Sequence, residues 1–252
     1  MTTCSLEEIS TGNTRALARA ISLAERGDPA MAPVLAAARL RPRRTLRVGI
    51  TGPPGAGKSS LVRELVRRIR RKGDRVAVVA SDPVSPVTGG AFLGDRCRMA
   101  GVADDRDVFI RSLAHRGPTG ESSPAAWSAV ELIEAAGFDW VLLETVGTGQ
   151  ADVHALRGCD LKLLVHTPDS GDHVQMLKAG LAETAHVHVV GKCDRPGAKA
   201  WALELESALR GAEGPAPRVF PVSALTGEGV DELSEVLEAE LRGLREEKGG
   251  AT

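Results

Sequence analysis

The sequence predicts an α/β fold, with a mostly parallel central sheet flanked by helices and preceded by an N-terminal helical extension. Three observations predict it. Short apolar runs alternate with amphipathic helical segments along the chain, the pattern of a parallel sheet buried on both faces. A glycine-rich stretch, Gly52 to Ser59 (GPPGAGKS), falls between the first apolar run and a helix. Carboxylates and polar turns then follow several of the strands, which is the edge where such sheets bind ligands.

Residues 1–44 form the extension and its linker. Leu17, Ile21 and Ala24 share one helical face, and Met31, Val34, Leu35 and Ala38 share another, each at the spacing of an amphipathic helix. Asp28-Pro29 between them offers an N-cap and a proline suited to a first helical turn. The link carries Arg39, Arg41, Arg43 and Arg44, read as a solvated segment.

The body is predicted over 45–244. Leu46 to Ile50 is apolar and partly β-branched, as a buried strand should be. Leu61, Val62, Leu65, Val66 and Ile69 then lie on one face of a helix that ends in cations before Gly73, complementing its C-terminus. Val76–Ala80 is a second strand, ending at Ser81-Asp82-Pro83. A long segment, PVSPVTGGAFLGDRCRM, follows, and long loops with few apolar anchors carry function. Val108–Ile110 is a short third strand, followed by a polar loop. Ser123-Pro124 opens a helix closed by Gly137. Trp140–Leu143, Leu161–Val165, Val187–Val190 and Arg218–Val222 complete the strands, and Asp231–Leu244 the closing helix. Residues 245–252 are expected to be a disordered tail.

The glycine stretch matches a glycine, four free residues, then Gly-Lys-Ser, in the strand–loop–helix context that gives the motif its meaning. Glycines let consecutive N–H groups point at a polyphosphate, and the helix N-terminus adds partial positive charge. Gly52, Pro53, Pro54, Gly55, Ala56, Gly57, Lys58, Ser59 and Ser60 are therefore the candidate phosphate cradle. Lys58 is placed to reach the outer phosphates. Mg²⁺ takes oxygen ligands, and Ser59, Asp82 and Glu144 supply them. Gly147 can offer its N–H to a γ-phosphate, which makes the residues after it a switch. On the base side, the Asp194 carboxylate can accept two hydrogen bonds from guanine N1 and N2, where adenine has no donors. The Lys192 stem can cover the base face. In Ser223-Ala224-Leu225 the Ala224 N–H can bond guanine O6. The ligands expected are GTP or GDP with Mg²⁺.

Composition narrows the partners. Hydrophobic residues make up 42% of the chain, and 32 basic against 33 acidic residues leave a formal charge of -1. Nothing global points to nucleic acid or a membrane surface, and no run is long or apolar enough to span a bilayer. The N-terminus lacks the pattern of a signal peptide. The four cysteines are widely spaced, with no zinc framework, and are expected to be free thiols in a reducing cytoplasm.

Several segments carry a further resemblance: TGNTRALARAISLAE, GITGPPGAGKSSLV, SDPVSPVTGGAFLGDRCRM, FIRSLAHRG, ETVGTGQADV and GDHVQMLKAG. On these the chain resembles the methylmalonyl-CoA mutase-associated GTPases of the MeaB/ArgK type, within the class that also holds the nickel-insertion GTPases. The resemblance implies a GTPase that chaperones an adenosylcobalamin-dependent acyl-CoA mutase and gates its cofactor loading or protects it. It places Lys58 and Ser59 on phosphate and Mg²⁺, and Asp82, Asp95 and Glu144 in the metal and catalytic region. It makes Pro83 to Asp95, Gly147 to Asp152 and Gly171 to Lys178 three switches. Alternative readings are a nickel-type metallochaperone and a nucleotide-binding scaffold without turnover; for the former, His173, His186 and His188 form no convincing cluster, and alternating histidines on a strand are read as surface. Two departures stand out. Gly191 occupies the place of the family's usual Asn, which bonds the base and ties its loop to the P-loop, so a looser guanine pocket is expected, tightened by Gly191→Asn. The usual C-terminal dimerisation region is expected to be missing, leaving a monomer or a homodimer through the N-terminal helices.

Overall fold

The computed structural model describes residues 5–83, 99–115, 124–147, 156–168, 184–210 and 218–249. Seven strands form one sheet: β1 (Leu46–Thr51), β2 (Val76–Pro83), β3 (Val108–His115), β4 (Trp140–Glu144), β5 (Leu161–His166), β6 (Val187–Gly191) and β7 (Arg218–Val222). Their order is β3-β2-β4-β1-β5-β6-β7, and every pairing is parallel. β1 is central. The chain leaves it toward β2 and β3, returns to insert β4 beside it, and then builds β5 to β7 on its other side. Such a reversal opens a crevice at the carboxyl ends of the central strands.

The helices are α1 (Leu6–Ser10), α2 (Thr14–Glu25), α3 (Met31–Arg39), α4 (Lys58–Arg71), α5 (Pro124–Ala135), α6 (Ala198–Leu209) and α7 (Val230–Gly249). Alternation along the strands separates two cores. Val48 and Ile50, Val76 and Val78, and Trp140 and Leu142 face Leu61, Leu65 and Ile69 of α4 and Leu233, Leu237 and Leu241 of α7. The intervening Ala77, Val79, Val141 and Leu143 face α5 and the N-terminal helices through Ile9, Leu17, Ile21 and Met31. The strand period of two thus serves both layers at once. Trp140 is 1% exposed, and its indole N–H donates to Asp74 at 2.9 Å, so its large apolar body is buried with its polar tip satisfied.

Several local expectations are corrected. The extension has three helices, and Asp28 does not cap α3: its side chain accepts from Ala30 N at 2.9 Å, and the helix begins at Met31 without a side-chain cap. The basic link is exposed at Arg39, Arg41 and Arg44, as expected, but several of its arginines and Arg47 of β1 are also bonded. Arg39 pairs with Glu131, Arg43 with Asp160 and Arg47 with both oxygens of Glu134, while Arg41 bonds the Ala135 carbonyl. These bonds lash the extension to α5 and the sheet. β3 continues to His115 because it pairs with β2 as far as Pro83. Its Arg111, which reads as a loop residue, bonds Glu25 and Ser22 of α2. α7 runs to Gly249, past the expected helix end at Leu244 and into the segment read as a tail.

At the opposite end from the glycine loop, Arg70 gathers the turn before β3. It donates to Asp105 at 2.9 Å, Asp107 at 3.0 Å and the Asp74 carbonyl at 2.5 Å. The hydrogen bond from Arg70 holds the Asp105 carboxyl below its ordinary range. A depressed carboxylate stabilises the fold above its unfolded pKa, and that contribution is lost as pH falls through the folded value. Asp105 is partly exposed, so the pair is screened. Arg70→Gln should therefore cost on the order of 1 kcal/mol in urea unfolding at about pH 7, the cost of lost charged hydrogen bonds. The gap from the parent should narrow below about pH 4; a gap unchanged there would show that ion pairing is not its source.

Candidate nucleotide site

The glycine loop leaves β1 at Thr51 and enters α4 at Lys58. Gly57, the N-cap of α4, has φ 94° and makes no side-chain cap bond, so no capping side chain occupies the first turn of the helix. Lys58 is 7% exposed. Its Nζ donates to the carbonyls of Gly52 at 2.8 Å and Pro53 at 3.1 Å, which folds the ammonium back over the loop. Ser59 donates its hydroxyl to Glu144 Oε1 at 2.7 Å, and Glu144 is 6% exposed at the end of β4. The register places Glu144 beside Ile50 of β1 and Ala80 of β2, so β4 delivers the carboxylate directly under the loop.

Gly147 has φ 86°. A Cβ there would lie 1.9 Å from the Gly52 carbonyl oxygen and 3.0 Å from Lys58 Nζ, so only glycine permits this approach of the β4 exit to the loop. Asp82 lies at the end of β2, in register with Ala114. Asp95, residues 148–152 and residues 171–178, named above for the metal region and the switches, lie outside the described residues.

On the other side of the loop a cavity of about 200 Å³ is lined by Ala56, Gly57, Ser60 and Leu61, by Val165, Val189 and Gly191, and by Lys192, Asp194, Ser223, Ala224 and Leu225. Ala56, Gly57 and Ser60 of the predicted phosphate cradle thus meet the predicted base residues at one hollow, while Lys58 and Ser59 do not line it. Lys192 has φ 59° and is the non-glycine residue with positive φ among those described, the kind of strain held at functional loops. A hydrogen bond from Ser223 holds the Asp194 carboxyl below its ordinary range. Ser223 is fully buried; its oxygen accepts from Leu225 N at 3.3 Å and Thr226 N at 3.2 Å, and its carbonyl accepts from Gly227 N at 2.8 Å. The Ser-Ala-Leu turn therefore presents a backbone edge beside the Asp194 carboxylate. That adjacency is not visible in linear sequence, where the two residues lie far apart.

Two expectations change here. His188 is not a surface residue: it is 0% exposed, and His166 is 3% exposed. Their Nδ1 and Nε2 atoms lie 2.9 Å apart, and His166 also meets the Trp201 ring of α6 at 5.7 Å. Among the described residues, no group of three or more His, Cys, Asp or Glu is placed to hold a metal ion. Gly191 is not a loose end either. A Cβ there would lie 2.8 Å from the Ala56 carbonyl oxygen and 3.2 Å from that of His166, so an Asn cannot be seated without moving backbone.

A central parallel sheet, a glycine loop opening a helix, a buried Lys on that loop and a carboxylate beneath it define a P-loop nucleotide-binding protein. The chain belongs to the methylmalonyl-CoA mutase-associated GTPase family, MeaB, whose model matches residues 17–250. It is 41% identical over 247 residues to a GTPase-named protein of Pyrococcus horikoshii, covering 96% of this chain and 78% of that one. It is 39% identical over 204 residues to the fused isobutyryl-CoA mutase of Geobacillus kaustophilus, covering 77% of this chain and 19% of that one. A crystal structure described as a LAO/AO transport system kinase superposes with a TM-score of 0.73 at 28% identity, covering 97% of this chain and 79% of that one. The chain is therefore a P-loop GTPase.

The two described thiols are free and buried, Cys159 ahead of β5 and Cys193 in the base-side turn. Burial pushes the Cys159 thiol up to about 12, and burial followed by the Glu228 carboxylate pushes the Cys193 thiol up. The thiolate is the reactive form, so both should resist alkylation in native protein at about pH 7.5 and react once it is unfolded. Rapid native labelling of Cys193, read by mass spectrometry, would show that the base-side turn opens.

Proposed function

We propose that the chain is a Mg²⁺-dependent GTP hydrolase that chaperones an adenosylcobalamin-dependent acyl-CoA mutase, with hydrolysis slow alone and accelerated by the partner. The observation that carries the nucleotide part is the shared hollow: Asp194 and Ser223 line the same cavity as Ala56 and Gly57 of the phosphate loop. A carboxylate there accepts from guanine N1 and N2, and the Ala224 N–H serves O6. Lys58 neutralises the outer phosphates as negative charge develops on them. Gly147 reads the γ-phosphate, because it already lies against the Gly52 carbonyl and Lys58.

The oxygen-only donor set around Ser59 fits Mg²⁺, which prefers carboxylates, hydroxyls and retained waters. The Ser59 hydroxyl would hold the ion directly, with Glu144, and Asp82 and Asp95 by family resemblance, completing its surroundings. Bound there, the ion would neutralise charge on the β- and γ-phosphates. The mutase part is supported by the family match and by the relative in which a homologous stretch belongs to a fused isobutyryl-CoA mutase. Delivery or protection of the mutase's cofactor is the use such a nucleotide switch would serve in the cell's interior.

Titration calorimetry tests the base assignment: GTP should bind at least tenfold more tightly than ATP, and equal binding would remove it. Asp194→Asn replaces one acceptor by a donor; it should weaken GTP and favour xanthosine triphosphate, which presents an acceptor at that position. Lys58→Ala should lower kcat/KM by about 10²-fold or more, the scale of removing one preorganised charge stabiliser. Retained turnover in that variant would mean that the loop is not the catalytic centre. For the partner, the GTP-loaded protein should retain a cobalamin-dependent mutase on an affinity column and the Lys58→Ala variant should not.

A further inference from the structure

At the carboxyl edge of the sheet, backbone lies directly against backbone at three glycines. At the β4 exit, Gly147 lies against the Gly52 carbonyl. Gly52 in turn lies against β5, where a Cβ on it would be 2.1 Å from the Val165 carbonyl oxygen. From the far side of β5, Gly191 at the end of β6 faces the His166 carbonyl and also the Ala56 carbonyl of the phosphate loop, with Val165 Cγ1 3.6 Å from its virtual Cβ. The end of β5 is thus clasped between two glycines, one from the phosphate strand and one from the base strand. Both close neighbours of Gly191 are carbonyl oxygens. One belongs to a strand in the middle of the sheet and the other to the phosphate loop, so neither can swing aside as the tip of a side chain could.

We propose that Gly191 is a positioning residue that sets the distance between the base cavity and the phosphate loop, doing by direct backbone contact what a side-chain tie would otherwise do. The proposal deepens the GTPase reading and rests on its assignment of the two halves of the cavity. A nucleotide spans from Asp194 to Lys58. A methyl group on Gly191 must push Ala56 away from β6 or drive β6 away from β5, since close-packed interiors absorb such changes poorly. Either movement changes the span. A ligand that touches only the phosphate loop has no second anchor, so a loop that shifts as a unit, or a shift of β6 alone, leaves its contacts in place.

The test compares GDP with inorganic pyrophosphate, each with Mg²⁺, by calorimetry on the full chain and on Gly191→Ala and Gly191→Asn. Gly158→Ala serves as a burden control: its Cβ would meet the Trp127 ring at 2.4 Å, and neither residue lines the cavity. Gly191→Ala should weaken GDP about tenfold or more, the scale of a sub-ångström to ångström misplacement, and Gly191→Asn at least as much. Pyrophosphate should stay within about twofold, and Gly158→Ala should keep both affinities. GDP binding unchanged or tightened in Gly191→Asn overturns the proposal. So does loss of pyrophosphate together with GDP, or loss of the fold, because glycine then holds the sheet rather than spacing the two halves. The guanine reading fails separately, if the parent binds ADP as tightly as GDP; the ratio of spanning nucleotide to pyrophosphate still decides the role of Gly191.

Discussion

The carbonyl of Gly52 is the contact on which the functional edge depends. It accepts from Lys58 Nζ at 2.8 Å, and it lies against Gly147 too closely for any side chain to intervene. The same residue presses on β5 at Val165. One peptide unit therefore fixes the phosphate loop to the strand that carries Glu144 and to the strand that borders the base cavity. Backbone carbonyls have no rotamers, so these separations are set by the sheet itself. A loop that must cradle a polyphosphate with N–H groups gains from such a rigid foundation, because geometry fixed beforehand need not be ordered during binding.

Much of the fold could be read from the chain because its determinants are local and periodic. The apolar runs of β2 and β4 feed two cores, β1 feeds one, and the face of α4 is continuous from Leu61 to Ile69. Features that arise from pairing between distant segments could not be read the same way. Arg111 and Ser112 are polar, yet they extend β3 because β2 continues alongside them. Arg39 and Arg43 of the link and Arg47 of β1 read as suited to water in isolation, but their carboxylate partners lie about ninety residues or more away. His188 sits in an alternating His-Val pattern that reads as half-exposed; the strand is covered on both faces, and the ring is buried against His166.

The site shows the same division. Lys58, Ser59 and Glu144 could be named from spacing, since the loop motif and the strand end constrain them locally. The meeting of Asp194 with the Ser223 turn could not, because the two turns adjoin only where β6 pairs with β7. Gly191 is the instructive case. In linear sequence a glycine where an Asn is usual reads as a lost hydrogen bond and a slackened pocket. In three dimensions the missing side chain is what lets β6 close on the phosphate loop. The substitution therefore cannot be scored from the residue alone: its sign depends on whether the neighbouring carbonyls stand where an amide would have to fit, and here they do.

This closure also bears on how the two ends of the molecule are joined. α4 begins in the phosphate loop and ends in a cluster of cations tied to other elements. Arg68 bonds Asp231 at the start of α7, Lys72 pairs with Glu238 further along it, and Arg70 holds the turn before β3. A displacement of the loop by a ligand would be carried along a helix whose far end is held by charged pairs rather than by apolar packing alone. Such pairs are individually weak when exposed, but those of Arg68 and Arg70 are partly buried, with side chains 12% and 17% exposed, and each bridges separate segments. They favour a helix that moves little. A helix anchored in this way ties the phosphate loop at its start to α7 and to the turn before β3 at its end.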